Sequence, residues 1–187
     1  MKAFLHDRYG DPRAVMELRD VETPEPSPGE VLVRIHAASV NAYDWHLVRA
    51  DPFLVRIGGM GLFRPKHPRV GADFAGVVAS MGPDVDDLRE GDRVFGSLSP
   101  THDGAFAEYA LAAVDYLAPM PANASFAEAA AIPMAALTAL QGLRDSGTLQ
   151  AGQRVAINGA SGGVGTYAVQ LAKWMGAEVT AICSTKK

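Results

Sequence analysis

The run from Arg154 to Gly165 constrains this chain more than any other. Arg154-Val155-Ala156-Ile157-Asn158 reads as a short strand, Gly159 to Gly165 as a turn of small residues, and the stretch up to Gly176 as a helix. Val164, Ala168, Leu171, Ala172 and Met175 recur at i, i+4, i+7, i+8 and i+11, which predicts one helix face turned toward a sheet. Val179 to Cys183 then returns as a second strand, completing a right-handed βαβ unit.

Such a turn suits an anion. Small residues let the backbone approach closely, and the unpaired amides at the helix start, with the positive end of the helix dipole, stabilise negative charge. Ala160 stands where the common glycine pattern has its first glycine, Gly162 is expected to allow close approach of a diphosphate, and Gly165 to allow close helix–strand packing. Ser161, Gly163 and Val164 complete the expected cofactor-binding set. An enzyme preferring NAD would present an acid after the second strand to meet the ribose 2′-hydroxyl. Here Ser184, Thr185 and Lys186 offer hydroxyls and a cation, which suit a 2′-phosphate, so NADPH is the expected cofactor.

Gly159-Ala160-Ser161-Gly162-Gly163 also satisfies Gly-x-Ser-x-Gly, the nucleophile elbow of α/β-hydrolases. That fold needs a histidine after the serine. All five histidines (His6, His36, His46, His67 and His102) precede Ser161, so a hydrolase is set aside.

The first 117 residues or so are punctuated by Gly, Pro and Asp, and read as strands and turns. Val31 to Ile35, Phe74 to Ala79 and Arg93 to Phe95 are the strands bounded by turn residues. Phe53 to Pro68 reads as a mobile loop of lid-like length, rich in cations. After Pro121 the composition shifts to alanine. Ser125 and Glu128 form a capping box, Pro133 interrupts the helix they start, and the helix resumes from Met134 to Leu143 with Leu137, Leu140 and Gln141 on one side. The expected division is therefore residues 1–121 and 122–187.

Bulk properties exclude several functions. With 48% apolar and 20% charged residues the chain is globular in composition, and its net charge of −4 with no dense basic run gives no footprint for nucleic acid. No stretch approaches the roughly 18 apolar residues that span a bilayer, and the start is too polar for a signal peptide, so no membrane partner and a cytoplasmic location are expected. The single cysteine, Cys183, leaves no internal disulfide and no multi-cysteine zinc site.

Several motifs together resemble the medium-chain dehydrogenase/reductase superfamily, in its zinc-free quinone oxidoreductase (zeta-crystallin-like) branch. They are Ala38 to Asp44, Val70 to Val78, Gly91 to Val94, Gly104 to Tyr109 and Asn158 to Gly165. The resemblance implies an α/β plus β fold: a GroES-like β-barrel substrate domain, then a partial Rossmann domain that binds NADPH. Zinc-dependent relatives carry a cysteine near Asn41 and Gly-His-Glu where this chain has Gly71-Ala72-Asp73, so no metal is expected. Hydride transfer to an electrophilic acceptor, a quinone or α,β-unsaturated carbonyl (enone), is the implied reaction. Asn41 is the expected contact at the reacting end, polarising the carbonyl. By resemblance Asp44 and Thr138 lie near the nicotinamide, with a helix cap as the alternative for Asp44. Tyr43 and His46 are candidate proton donors, packing being the alternative for each.

The family continues beyond two Rossmann strands, so a fragment is expected, one that binds cofactor weakly and forms a homo-oligomer such as a dimer. The alternative function is a non-catalytic paralogue, a cofactor-sensing or interaction module whose sheet edge docks a partner.

Overall fold

The computed structural model describes residues 1–98 and 104–185, and these form two compact units, Met1–Pro133 and Met134–Lys187. The first unit opens with β1 (Lys2–His6) and β2 (Met16–Asp20), an antiparallel pair joined through the short helix α1 (Pro12–Val15). Asp11 starts α1 by accepting a 2.9 Å hydrogen bond from the Arg13 amide. The main sheet contains β3 (Glu30–Ala38), β4 (Asp73–Met81), β5 (Arg93–Ser97), β6 (Tyr109–Ala113) and β7 (Leu117–Pro119), all antiparallel in the order β6-β3-β4-β5-β7. Isolated bridges Ala3↔Ala107 and Leu5↔Arg69 tie the β1–β2 pair to the segments that flank this sheet.

Alternation drives the core. Val31, Val33, Phe74, Val78 and Val94 point to one side and lose nearly all contact with water. At Gly76 the strands approach so closely that a Cβ would stand 2.2 Å from the Arg34 carbonyl oxygen. Helix α2 (Ala42–Arg49) follows β3 directly.

Helix α3 (Phe126–Ala130) begins at the predicted capping box, where Ser125 Oγ accepts from the Glu128 amide and the Glu128 carboxylate accepts from the Ser125 amide at 2.8 Å. Ala129 and Ala130 pack against Ala75 and Met120, while the Phe126 ring stacks on His36 at 4.3 Å and lies 4.8 Å from the Arg93 guanidinium. These contacts bind α3 to the sheet. The compact units divide at Pro133/Met134, so α3 belongs to the unit of the sheet it packs against.

In the second unit α4 (Pro133–Leu140) has its proline at the first turn, where no amide hydrogen is needed, so Pro133 starts a helix. A wide helical turn, Gln141–Ser146, follows and ends at Gly147, as the Asp-Ser-Gly sequence predicts. The buried residues of α4 are Pro133, Ala135 and Ala139, whereas Leu137 is half exposed, which corrects the expected Leu137–Leu140–Gln141 face. Small side chains at i and i+4 make the closer contact.

The βαβ unit is present: β8 (Arg154–Asn158), α5 (Gly163–Trp174) and β9 (Glu178–Ile182), with β8 and β9 parallel and in register from Arg154↔Glu178 to Asn158↔Ile182. Its packed face keeps Ala168, Leu171 and Ala172 of the one the periodicity predicts but has Gly165 in place of Val164. Gly165, Ala168 and Ala172 are buried, and Val164 is 41% exposed. Glycine carries no hydropathy signal, so the pattern passes over the position of closest contact.

Within residues 53–68 the expected irregular loop contains a helical turn, Arg56–Met60. The Tyr9 hydroxyl, 2.8 Å from the carbonyl oxygens of both Met60 and Gly61, tethers it.

Candidate functional site

The turn after β8 divides its amides between two tasks. Gly159 adopts φ +75°, a left-handed conformation that favours glycine, and its amide and that of Ala160 both donate to the Ile182 carbonyl, at 2.9 and 3.0 Å. Ala160 is buried in the cluster containing Ile157, Ala168 and Ala172. Its part in the turn is to lock β8 to the end of β9, and its amide is already used.

The amides that follow are arranged differently. Gly162 caps α5 in extended conformation, and the first helical hydrogen bond runs from the Thr166 amide to the Gly162 carbonyl at 2.9 Å. The amides of Gly163, Val164 and Gly165 therefore have no partner within the helix. Ser161, Gly163 and Val164 are exposed, and a Cβ at Gly163 would meet no atom within 4 Å. At Gly165 it would meet the Gly159 carbonyl oxygen at 2.1 Å and Ala160 Cα at 2.8 Å. Helix and turn thus touch at Gly165, the Gly162 amide donates to the Gly159 carbonyl at 2.9 Å, and backbone lies open at Gly163 and Val164. A donor set of unpaired amides at a helix start, with no side chain over it, fits a phosphate group.

Ser184 and Thr185 follow β9 and are exposed; Lys186 lies outside the described residues. Thr138 sits on the exposed side of α4.

In the first unit, the residues between β3 and α2 converge on two buried carboxylates. Asp44, on the first turn of α2, accepts from the Asn41 amide at 2.7 Å and so caps the helix from within. Asn41 Nδ2 donates to Ser39 Oγ and to Asp73 Oδ2, each at 3.1 Å, and the Ser39 amide donates to the Asp73 carbonyl at 3.2 Å. Asp73 is fully buried at the start of β4, and Asp44 is 3% exposed. Burial pushes the Asp44 carboxyl up to about 6; the hydrogen bond from the Asn41 amide opposes this and the nearby Asp73 charge adds to it.

Both hydrogens of the Asn41 amide are thus engaged by Ser39 and Asp73. Ser39 and Asp73 were not among the residues singled out from sequence; an acid in the Gly-Ala-Asp motif was the available signal. Tyr43 is half-buried on α2. His46 lies one turn beyond Tyr43, with Nδ1 on the Asp51 carbonyl oxygen and its ring stacked on Trp45 at 4.0 Å. Asn41, Asp44 and Asp73 are brought together; His46 belongs to the far end of α2.

A largely antiparallel GroES-like domain followed by a glycine-turn βαβ unit defines the class of two-domain nicotinamide dehydrogenases and reductases. Residues 27–122 match the alcohol dehydrogenase GroES-like domain family. The chain is 37% identical over its whole length to a quinone-oxidoreductase homolog, chloroplastic, of Spinacia oleracea, covering 56% of that protein. The quinone oxidoreductase structure from Coxiella burnetii superimposes with a TM-score of 0.88 at 35% identity, covering 100% of this chain and 57% of the other. The Escherichia coli quinone oxidoreductase complexed with NADPH gives 0.84 at 25% identity, covering 100% and 54%. The chain belongs to the medium-chain dehydrogenase/reductase superfamily and is a quinone-oxidoreductase-like member of it. It spans about half the length of the curated relatives it matches. Among the described residues no helix is long and apolar enough to cross a membrane.

Proposed function

We propose that this chain supplies the substrate domain and the first dinucleotide-binding unit of a cytoplasmic, homo-oligomeric oxidoreductase that uses NADPH to reduce a quinone or an α,β-unsaturated carbonyl without zinc. The observation that carries the reading is the pair of open amides at Gly163 and Val164, set against the enforced contact at Gly165. The dinucleotide would supply the hydride; the chain's own part is to bind, orient and screen. Gly163 and Val164 would hold the diphosphate through backbone amides, with Ser161 beside them. Ser184, Thr185 and Lys186 would receive the 2′-phosphate.

The absence of zinc is supported by the chemistry at Asn41. Its Nδ2 presents hydrogens to the Asp73 carboxylate, whereas a metal ion would need a lone pair there. Asn41 is the candidate contact at the reacting end, the family resemblance assigns Asp44 and Thr138 to the neighbourhood of the nicotinamide, and Tyr43 and His46 are candidate proton donors. With both amide hydrogens held, Asn41 serves the reaction by fixing the β3–α2 junction rather than by donating to a substrate carbonyl. This revises the polarising role expected of it.

Titration with NADPH and NADH, read by quenching of tryptophan fluorescence, tests the proposal. A charge-assisted contact to the 2′-phosphate should favour NADPH by about tenfold or more, and Lys186→Glu with Ser184→Ala should remove that preference. No binding, or equal affinity for the two coenzymes, overturns the cofactor assignment. Oxidation of NADPH by a quinone or an enone, measured with and without chelator, tests the reaction class.

A further inference from the structure

Residues 6–10, which run from the end of β1 toward α1, hold the chain between α2 and β4 at three places. The Gly10 amide donates to the Val48 carbonyl at 3.1 Å, near the end of α2. The Tyr9 hydroxyl lies 2.8 Å from the carbonyl oxygens of Met60 and Gly61, and the Arg56 guanidinium rests 4.7 Å from its ring. The His6 amide donates to the Pro68 carbonyl at 2.9 Å. Between these points the Lys66 amide donates to the Met60 carbonyl at 2.8 Å and closes the 53–66 segment on itself. That segment is therefore fixed at its middle by Tyr9 and beyond its end by His6.

Of residues 6–10, His6 is the buried one, 2% exposed, with its ring centroid 6.2 Å from that of Tyr9. A buried imidazole is stable when neutral; once charged it needs a counter-charge or good acceptors. His6 has neither in hand. Its Nδ1 lies 3.4 Å from the Arg8 carbonyl oxygen, which is long for a hydrogen bond. The acid whose charge it feels is Asp7, and Asp7 is taken by Arg19 of β2 at 2.6 Å, while Arg19 also holds Glu17 at 2.8 Å. The chain between α2 and β4 adds positive charge: Arg56 over Tyr9, Arg64 acting on Asp7, and Arg69 paired with Leu5 of β1, with His67 beside Pro68. Burial holds the His6 imidazole below its ordinary value, opposed by the Arg8 carbonyl and the Asp7 charge.

We propose that His6 is a pH-sensitive latch on the 53–66 segment: the neutral ring keeps residues 6–10 in place and the segment closed, and a proton on the ring releases both. The sign follows from linkage. Above about pH 6.5 the ring is neutral whether the segment is closed or open; below it the open form takes up a proton that the closed form does not, and the closed form loses stability. Asp44 titrates in the same range with the opposite sign, its contribution being lost as pH rises, so it does not imitate this loss. The latch lies within the Met1–Pro133 unit and is independent of the cofactor assignment.

Amide hydrogen exchange of the 187-residue chain, read by NMR at about pH 7.5 and about pH 5.5 and corrected for the intrinsic rates, tests it. One proton changes protection by at most about tenfold for each pH unit below 6.5, so the Lys66 amide should lose about threefold to tenfold while the amides of β3 and β4 keep theirs. In the parent protein the amide resonances of Met60, Gly61 and Lys66 should shift with the same midpoint as the His6 ring. His6→Phe and His6→Gln should abolish the pH dependence. His46→Gln and His67→Gln, at the two ends of the chain between α2 and β4, should retain it. Any of four results would overturn the proposal: no loss in the parent, a loss shared by β3 and β4, a loss that survives both His6 substitutions, or a Lys66 midpoint apart from that of His6. The shared midpoint is read in the parent, so it decides the matter even where a His6 variant does not fold.

Discussion

Adding one methyl group at Gly165 should damage this protein, and adding one at Gly163, two residues away, should not. A Cβ at Gly165 would stand 2.1 Å from the Gly159 carbonyl oxygen, where ordinary van der Waals contact begins at 3.4 Å. Helix α5 and the turn would have to separate by more than an ångström, and the obstructing atoms are backbone, which no rotamer change relieves. Overpacking of this kind costs about 1–3 kcal/mol, and contact with fixed backbone belongs at the upper end. Alanine in place of glycine within a helix returns up to about 1 kcal/mol. Gly165→Ala should therefore lose about 2 kcal/mol, felt in the Met134–Lys187 unit. At Gly163 no atom lies within 4 Å, so only the helix-forming gain remains. That open space is where a phosphate would approach, and the Gly163→Ala methyl should weaken NADPH binding by about tenfold or more while the melting temperature holds or rises. Thermal melts, hydrogen exchange at the β8 amides and NADPH titration separate the two effects. A Gly165→Ala protein with parental stability and parental NADPH affinity would refute the packing argument.

Asp44 should make stability depend on pH. Its folded-state value, about 6, lies above that of an unfolded aspartate, so its contribution is intact below about pH 4 and is lost as pH rises through 6. Asp44→Asn keeps an acceptor for the Asn41 amide but does not ionise. The melting-temperature difference between parent and variant should therefore move in the variant's favour from pH 4 to pH 7, and a constant difference would refute the shift. Ser125→Ala, which removes the N-cap of α3, should cost about 1 kcal/mol in a chemical denaturation measurement. Asn41→Ala removes the side-chain contacts to Ser39 and Asp73 and should reduce NADPH-dependent turnover by about tenfold or more, with less effect on coenzyme affinity measured by titration. Undiminished turnover would remove Asn41 from the reacting end.

Where the sequence was legible, periodicity and turn chemistry agreed. The strand Arg154–Asn158, the glycine turn and a helix finishing before Gly176 stand where the pattern puts them, although the helix already begins at Gly163, inside the expected turn, and the Ser125–Glu128 capping box opens α3. Faces were less legible than elements. On α4 and α5 hydropathy favoured Leu137 and Val164, whereas the structure buries Ala135, Ala139 and Gly165. Helices in this unit approach closely, close approach selects the smallest residues, and the smallest residues add least to an amphipathic pattern. A helix that packs through glycine and alanine displays its larger residues to solvent.

The candidate site divides the same way. A glycine fingerprint names the residues of a turn without saying which amides are free, since that depends on a partner some twenty residues away. The Ile182 carbonyl takes the amides of both Gly159 and Ala160, which leaves Gly163 and Val164 outside that contact. Asp73 was hidden for a related reason: its role rests on Asn41 and Ser39 arriving from the β3–α2 junction, 34 residues earlier in the case of Ser39. A buried acid read within its own strand is an anomaly, and beside an amide with two hydrogens to place it becomes the acceptor that fixes the amide's orientation. Both cases lead to one physical expectation. A residue that consumes donors should matter to the site as much as the residues that display them: the Ile182 carbonyl belongs to the backbone and survives substitution, but replacing Asp73 removes the side-chain acceptor of Asn41 and misdirects a donor at the site.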